Sequence, residues 1–245
     1  MEWVVMAVAA LAAGAINAVA GGGGLVLFPT MIALGSPPIT ANVTNSVALF
    51  PGYLPAIASG RAELVGQTHL RRLVPTVVAG TLAGCALLLL TPAAAFALAA
   101  PILVLAATAA IALQDRLRAL STRTPHPAAA HVALFLTAVY GGYFGAAVGL
   151  LLIAVLALTT VESLHRINVG KAVFQAVIAA VTVVVFAVFG PVNWVHVAVL
   201  APAGTLGGYL GARVARVLPV RVLRVAIVIF GTVAGLALLV DRIGR

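Results

Sequence analysis

Four consecutive glycines, Gly21 to Gly24, sit inside a chain that is 63% hydrophobic and 8% charged. Each glycine costs a helix interior about 1 kcal/mol against alanine, and Pro29 removes a backbone donor shortly afterwards. No single helix runs comfortably through that stretch. The apolar residues on both sides nevertheless argue for membrane depth, where a broken helix is tolerated only if it is buried in protein or lines a polar cavity. Two readings follow. The glycines form a packing face that lets helices approach closely, or they mark a helix break whose free N–H groups point at a ligand.

Soluble domains carry about 25% charged residues. The low charge here and the mean hydropathy of +1.20 therefore predict an all-α, polytopic membrane protein. The formal net charge of +9 is not a nucleic-acid signature. Its arginines lie in short clusters between apolar runs, which is the topology signal of a membrane protein, and no basic stripe with interleaved aromatics occurs. The lone Cys85 excludes an intramolecular disulfide. The start, with Glu2 and no basic segment, does not resemble a cleaved signal peptide.

The apolar runs are 3–20, 22–34, 40–58, 69–90, 93–113, 131–149, 150–161, 167–189, 193–218 and 221–240. A spanning helix needs about 20 residues. Runs 22–34 and 150–161 reach only about 20 and 18 Å at 1.5 Å per residue, so they are expected to be half-helices or re-entrant segments. Laying the second half on the first at an ungapped offset of 127 superposes Gly14 on Gly141, Gly22 on Gly149, His69 on His196, Pro75 on Pro202, Gly80 on Gly207 and Gly84 on Gly211. This is an internal repeat. It divides the chain into a first membrane repeat, 1–113, a polar linker, 114–127, and a second repeat, 128–245, of about five helical segments each.

Arginine placement orients the halves. Arg61, Arg71 and Arg72 make one loop cytoplasmic, while its counterpart around 189–196 has no basic residue. The loop at 90–93 has none, while its counterpart carries Arg213, Arg216, Arg221 and Arg224. Equivalent loops fall on opposite sides, so the repeats are expected to be inverted, with the linker cytoplasmic.

The acids Glu2, Glu63, Asp115, Glu162 and Asp241 all fall at or near expected helix ends, leaving no carboxylate at mid-membrane for a proton relay or Na⁺ site. No metal-ligand cluster, P-loop or Ser-His-Asp spacing occurs, so neither an enzyme nor a cofactor is expected. The penetrating polar residues favour an anion instead. Around the breaks these are Asn17, Gly22, Gly23, Gly24 and Gly149; on the helix after the first break, Asn42, Thr44, Asn45 and Ser46. On the corresponding helix of the second half they are Asn168, Lys171 and Gln175, whose spacings of three and four place them on one face. Several have ordinary explanations: helix caps for Thr44 and Ser46, a helix–helix hydrogen bond for Asn17, and snorkelling to the membrane surface for Lys171.

The first motif, GAINAVAGGGGLVLFP followed by ANVTNS, resembles the opening repeat of the TauE/SafE family of sulfite and organosulfonate exporters. GGYFGAAVGLLLIAVL followed by RINVGKAVFQ is similar to that family's second repeat, although Ala146-Ala147-Val148 stands where another glycine is usual. The resemblance implies a multi-pass protein of the bacterial cytoplasmic membrane that exports sulfite, sulfoacetate or a related small sulfur oxyanion. Its partners are then a small anionic substrate and the lipid bilayer, with a homo-oligomer left open. The rival functions are an anion channel with the same lining and a structural or assembly subunit whose glycines only pack helices.

Overall fold

A computed structural model describes residues 1–53, 68–113, 127–159, 164–214 and 220–243. The first half contains α1 (Glu2–Ala20), α2 (Gly24–Ala33), α3 (Pro38–Leu49), a 3-10 turn (Phe50–Tyr53), α4 (Thr68–Leu90) and α5 (Ala93–Ala112). The second contains α6 (Pro127–Tyr143), α7 (Val148–Thr159), α8 (Leu164–Phe189), α9 (Trp194–Val214) and α10 (Val220–Ile243). The described residues form helices without strands, and the protein is an all-α, polytopic membrane protein. Leu70–Leu90, Ala93–Ala112 and Arg166–Phe189 are each long and apolar enough to cross a bilayer. Arg61, Glu63, Glu162, Arg216 and the linker up to residue 126 lie outside the described residues.

Helices break at both glycine motifs. α1 ends at Gly21, whose φ of 73° is left-handed backbone that glycine adopts without strain, and α2 begins at Gly24. The second break covers residues 144–147. Gly145 has φ 74° there, and a non-glycine residue, Ala147, has φ 59°. Alanine thus takes the left-handed conformation that a glycine would accept more easily. The apolar run 131–149 is therefore not one helix; α6 stops at Tyr143, inside it. The run 40–58 is shorter than expected too, because α3 gives way at Leu49 to the turn carrying Pro51 and Gly52.

Helix breaking and close packing fall to different glycines. α1 packs along α9 at backbone contact distance: a Cβ on Gly14 would overlap the Gly204 carbonyl, and one on Gly207 would overlap that of Leu11. α4 and α6 do the same through Gly84 against Val139 and Gly142 against Thr81. Small residues permit this approach where no hydrophobic effect drives helices together.

The packing pairs exchange when the halves are exchanged. α1 lies on α9 and α6 on α4; α3 lies on α9 and α8 on α4; α2 touches α10 and α7 touches α5; α5 packs on α10, and α3 on α8. Inside, Phe28, Phe96, Tyr143 and Phe144 join α2 to α5 and the second break through edge-on ring contacts. Outside, Leu98, Ile102, Val184, Val188 and Val233 are 63–67% exposed. So broad an apolar exterior is the face a membrane protein turns to lipid.

Candidate functional site

The first break is held by one side chain. Asn17, a turn before the glycines on α1, accepts the Gly23 N–H on Oδ1 at 3.1 Å, while its backbone carbonyl accepts the Gly21 N–H at 3.1 Å. These bonds satisfy amides that the break would orphan. With Oδ1 occupied in this way, Nδ2 faces the other way and donates to the Tyr53 hydroxyl at 2.8 Å. The polarity of this chain starts at a backbone N–H and is therefore fixed. Tyr53, having accepted from Asn17, has its own proton left to give.

The second break is held by Tyr140, whose hydroxyl donates to the Ala146 carbonyl at 2.6 Å. The two breaks meet: a Cβ on Gly21 would lie 3.1 Å from the Gly149 Cα, and one on Gly149 would lie 3.2 Å from the Gly21 Cα. The Gln175 side chain stands against both glycines and beside the Tyr53 hydroxyl.

Next to this contact is a cavity of about 40 Å³, lined by polar Asn17, Asn45, Ser46, Tyr53, Gln175 and Thr182 and by apolar groups including Leu49, Phe144 and Ile178. Such a volume holds about three water-sized groups. Gly24 and Val148, the first residues of α2 and α7, also line it, so two helix N-termini face one space. Asn45 and Gln175 are only 6% and 4% exposed, yet Asn45 Oδ1 and Gln175 Nε2 have no hydrogen-bond partner. Buried polar atoms are nearly always paired, and an orphan costs about 1–3 kcal/mol. Both residues line the cavity, with these unbonded atoms enclosed behind its wall.

Of the residues singled out in the sequence, Asn17, Gly24, Asn45, Ser46 and Gln175 come together on this cavity; Gly22, Gly23, Asn42, Thr44, Gly149, Asn168 and Lys171 are not among its lining residues. Gly22 packs on Ile111 and Gly23 on the Ala13 carbonyl. Asn42 donates to the Tyr143 carbonyl at 2.9 Å, and Thr44 accepts the Asn193 N–H at 3.0 Å; both tie α3 to the second half. Gly149 lies beside the cavity, against Gly21. Lys171 is buried, at 9% exposure, one turn before Gln175 on α8. Helical side chains lean toward the helix N-terminus, which carries its ammonium away from the level of Gln175, and Lys171 and Asn168 make interactions of their own.

Sequence reasoning missed Tyr53, Tyr140, Phe144, Gly145 and Thr182. A signal existed for the first: Pro51-Gly52 inside an apolar run announces a turn, and Tyr53 is the polar group that turn presents. Tyr140 gave none, because its role depends on which carbonyl the break leaves free.

Comparison with known proteins places the chain in a family. The family described as "Sulfite exporter TauE/SafE" matches residues 6–238. The chain is 28% identical to the "Probable membrane transporter protein YfcA" of Escherichia coli K12, over 96% of this chain and 89% of that protein. It is equally similar to the proteins of the same name in strains O6:H1 and O157:H7. No solved structure matches the chain.

Proposed function

The chain belongs to the sulfite exporter TauE/SafE family and is a membrane transporter, and from that premise we propose that it is a secondary transporter exporting a small sulfur-containing oxyanion. The substrate is sulfite, sulfoacetate or a related organosulfonate, carried across the bacterial cytoplasmic membrane by alternating access. One observation carries this reading: the buried side chains of Asn45 and Gln175 line the same cavity as the N-termini of α2 and α7. Helix N-termini carry positive dipole ends, a favourable environment for an anion. The Tyr53 proton adds a donor that an oxyanion accepts.

The exchange of packing partners between halves supports two repeats, 1–113 and 128–245, joined by a cytoplasmic link at 114–127. With the arginine pattern it supports an inverted arrangement. The α1–α2 hairpin then enters from outside and the α6–α7 hairpin from the cytoplasm, and their tips meet at Gly21 and Gly149. Close contact between the tips favours an occluded carrier over an open anion channel. Lys171, on the cavity-facing side of α8 but a turn nearer the cytoplasm, draws the anion toward the site rather than gripping it. Asn42 and Thr44 hold α3 in place, while Asn45 and Ser46 face the substrate.

Counterflow in proteoliposomes tests the proposal. Internal unlabelled sulfite is expected to accelerate uptake of labelled sulfite, and the acceleration is expected to saturate. Unitary electrical currents without counterflow point to a channel, and no flux of any anion points to an assembly subunit.

A further inference from the structure

A second space, outside the central cavity, runs along the surface of α9. This groove has a volume of about 640 Å³ and is lined by Pro51, Ala201, Pro202, Thr205, Leu206 and Tyr209. The α9 residues recur at three- and four-residue spacings and so form one stripe. Leu206 and Tyr209 are 52% and 48% exposed, which opens the groove toward lipid. The Thr205 hydroxyl donates to the Ala201 carbonyl at 2.7 Å, leaving a wall that is apolar in effect.

One turn further along the stripe stands the exposed Arg213. Its guanidinium carbon lies 4.4 Å from the centre of the Tyr209 ring, and its Nη2 donates to the Tyr209 hydroxyl. The ring orients the guanidinium by stacking, and the hydroxyl, having accepted, keeps its own proton to give. Among the described residues no carboxylate pairs with Arg213, so its fork of donors can take a phosphate. Depth follows from the far end of α9, where Trp194 is 54% exposed; tryptophan sits at the membrane interface. Trp194 and Arg213 are about 28 Å apart at 1.5 Å per residue, close to the hydrocarbon thickness of about 30 Å. Pro202 to Arg213 covers about 16 Å of that rise, the depth of one leaflet.

We propose that this groove binds an anionic phospholipid, with its phosphate on Arg213 and Tyr209 and an acyl chain laid along Leu206 and Pro202 against Pro51. The arginine pattern that orients the halves puts it in the cytoplasmic leaflet. Lipid binding here stands apart from the transporter reading; its effect on substrate rests on that reading. Pro51 belongs to the turn that packs through Gly52 on Gly204 and Gly208 of α9 and carries Tyr53 to the cavity. A chain seated against Pro51 holds this turn on α9, so lipid occupancy favours sulfite binding.

Specific binding stabilises the folded protein by mass action, so thermal unfolding of the delipidated, detergent-solubilised chain tests the site. Phosphatidylglycerol is expected to stabilise it saturably and to bind about tenfold tighter than phosphatidylcholine, as one charge-assisted contact allows. That preference is expected to shrink with added salt. Glycerol 3-phosphate, a headgroup without chains, is expected to give no shift. Arg213→Gln is expected to bring phosphatidylglycerol down to phosphatidylcholine, whereas Arg72→Gln, at an exposed arginine on α4, leaves the preference intact. Thr205→Leu fills the groove and is expected to weaken binding with Arg213 in place; should Arg213→Gln not fold, that variant and the order of lipids on the parent protein still decide. Equal stabilisation by the two lipids, or the same loss in Arg72→Gln as in Arg213→Gln, overturns the site. Glycerol 3-phosphate acting as well as the lipid overturns the role of the groove. A dimer that Thr205→Leu dissociates, without preference for either lipid, assigns the groove to a second copy of the chain. Sulfite and phosphatidylglycerol together are expected to raise the melting temperature by more than the sum of their separate shifts. Strict additivity overturns the link through Pro51 alone, and a chain that no oxyanion stabilises in either lipid overturns the anion site while leaving the lipid site standing.

Discussion

The Asn17 carboxamide donates to the Tyr53 hydroxyl at 2.8 Å and so joins the tip of the first hairpin to the turn that ends α3. Replacing Tyr53→Phe keeps the ring and removes the bond, leaving Asn17 Nδ2 without its partner. The expected loss is about 1–3 kcal/mol of stability, with oxyanion binding weakened further because the cavity loses a donor. Thermal unfolding with and without sulfite separates the two effects.

Asn17→Asp tests polarity rather than packing. A carboxylate still accepts the Gly23 N–H, so the break keeps its cap, but it sets a negative charge on the cavity wall where an amide donor stood. Sulfite-dependent stabilisation is expected to disappear, whereas Asn17→Ala is expected to damage the fold and binding together. An Asp variant that binds sulfite like the parent protein contradicts an anion site here.

Not all glycines matter for the same reason, and alanine substitution distinguishes them. Gly35 has φ 88° with open space around its missing side chain, so Gly35→Ala is expected to cost only the strain of a left-handed residue, about 1–2 kcal/mol. Gly207→Ala drives a methyl group into the Leu11 backbone and is expected to separate α1 from α9, with a larger fall in melting temperature. Comparable melting temperatures for the two variants would refute the packing argument.

Ala147 offers the reverse experiment. Its φ of 59° means that Ala147→Gly relieves strain of about 1–2 kcal/mol, partly offset by the greater freedom of glycine in the unfolded chain. The expected outcome is a melting temperature equal to or slightly above that of the parent protein. A clear fall would mean that the Ala147 methyl group contributes packing that outweighs its backbone strain.

Lys171→Met is expected to preserve the fold and to weaken the apparent affinity for sulfite without abolishing it, since Gln175, Tyr53 and two helix N-termini remain. The parent protein's affinity is expected to fall with added salt, as attraction at a distance is screened over about 10 Å at 0.1 M, and the variant's to change less. Complete loss of binding in Lys171→Met would place the ammonium in direct contact with the substrate.

How much of this was legible in the sequence follows from the range of each signal. The helix breaks were readable because glycine acts locally, on its own backbone. Half the site was readable because Asn45, Ser46 and Gln175 are polar residues with helical spacing in an apolar setting. Thr182 was not, since an isolated hydroxyl among valines looks the same whether it bonds a neighbouring carbonyl or faces a cavity, and Tyr53 was announced only by the Pro51-Gly52 turn before it. The roles of Asn42 and Thr44 were hidden for a different reason: their partners, Tyr143 and Asn193, are 101 and 149 residues away. A polar side chain at membrane depth must bond to something, but only the fold says that the partner is protein.

The meeting of Gly21 and Gly149 has a mechanical consequence. At that point the hairpin tips meet through two Cα atoms, with the Gln175 side chain against both, and dispersion contributes only about 0.1–0.2 kcal/mol per atom pair. A latch built from salt bridges would hold harder and release more slowly. A seam this weak is thermally soft, and the bonds that tie the tips to their surroundings, Asn17 to Tyr53 and Tyr140 to Ala146, become the springs that set how far and how often it opens.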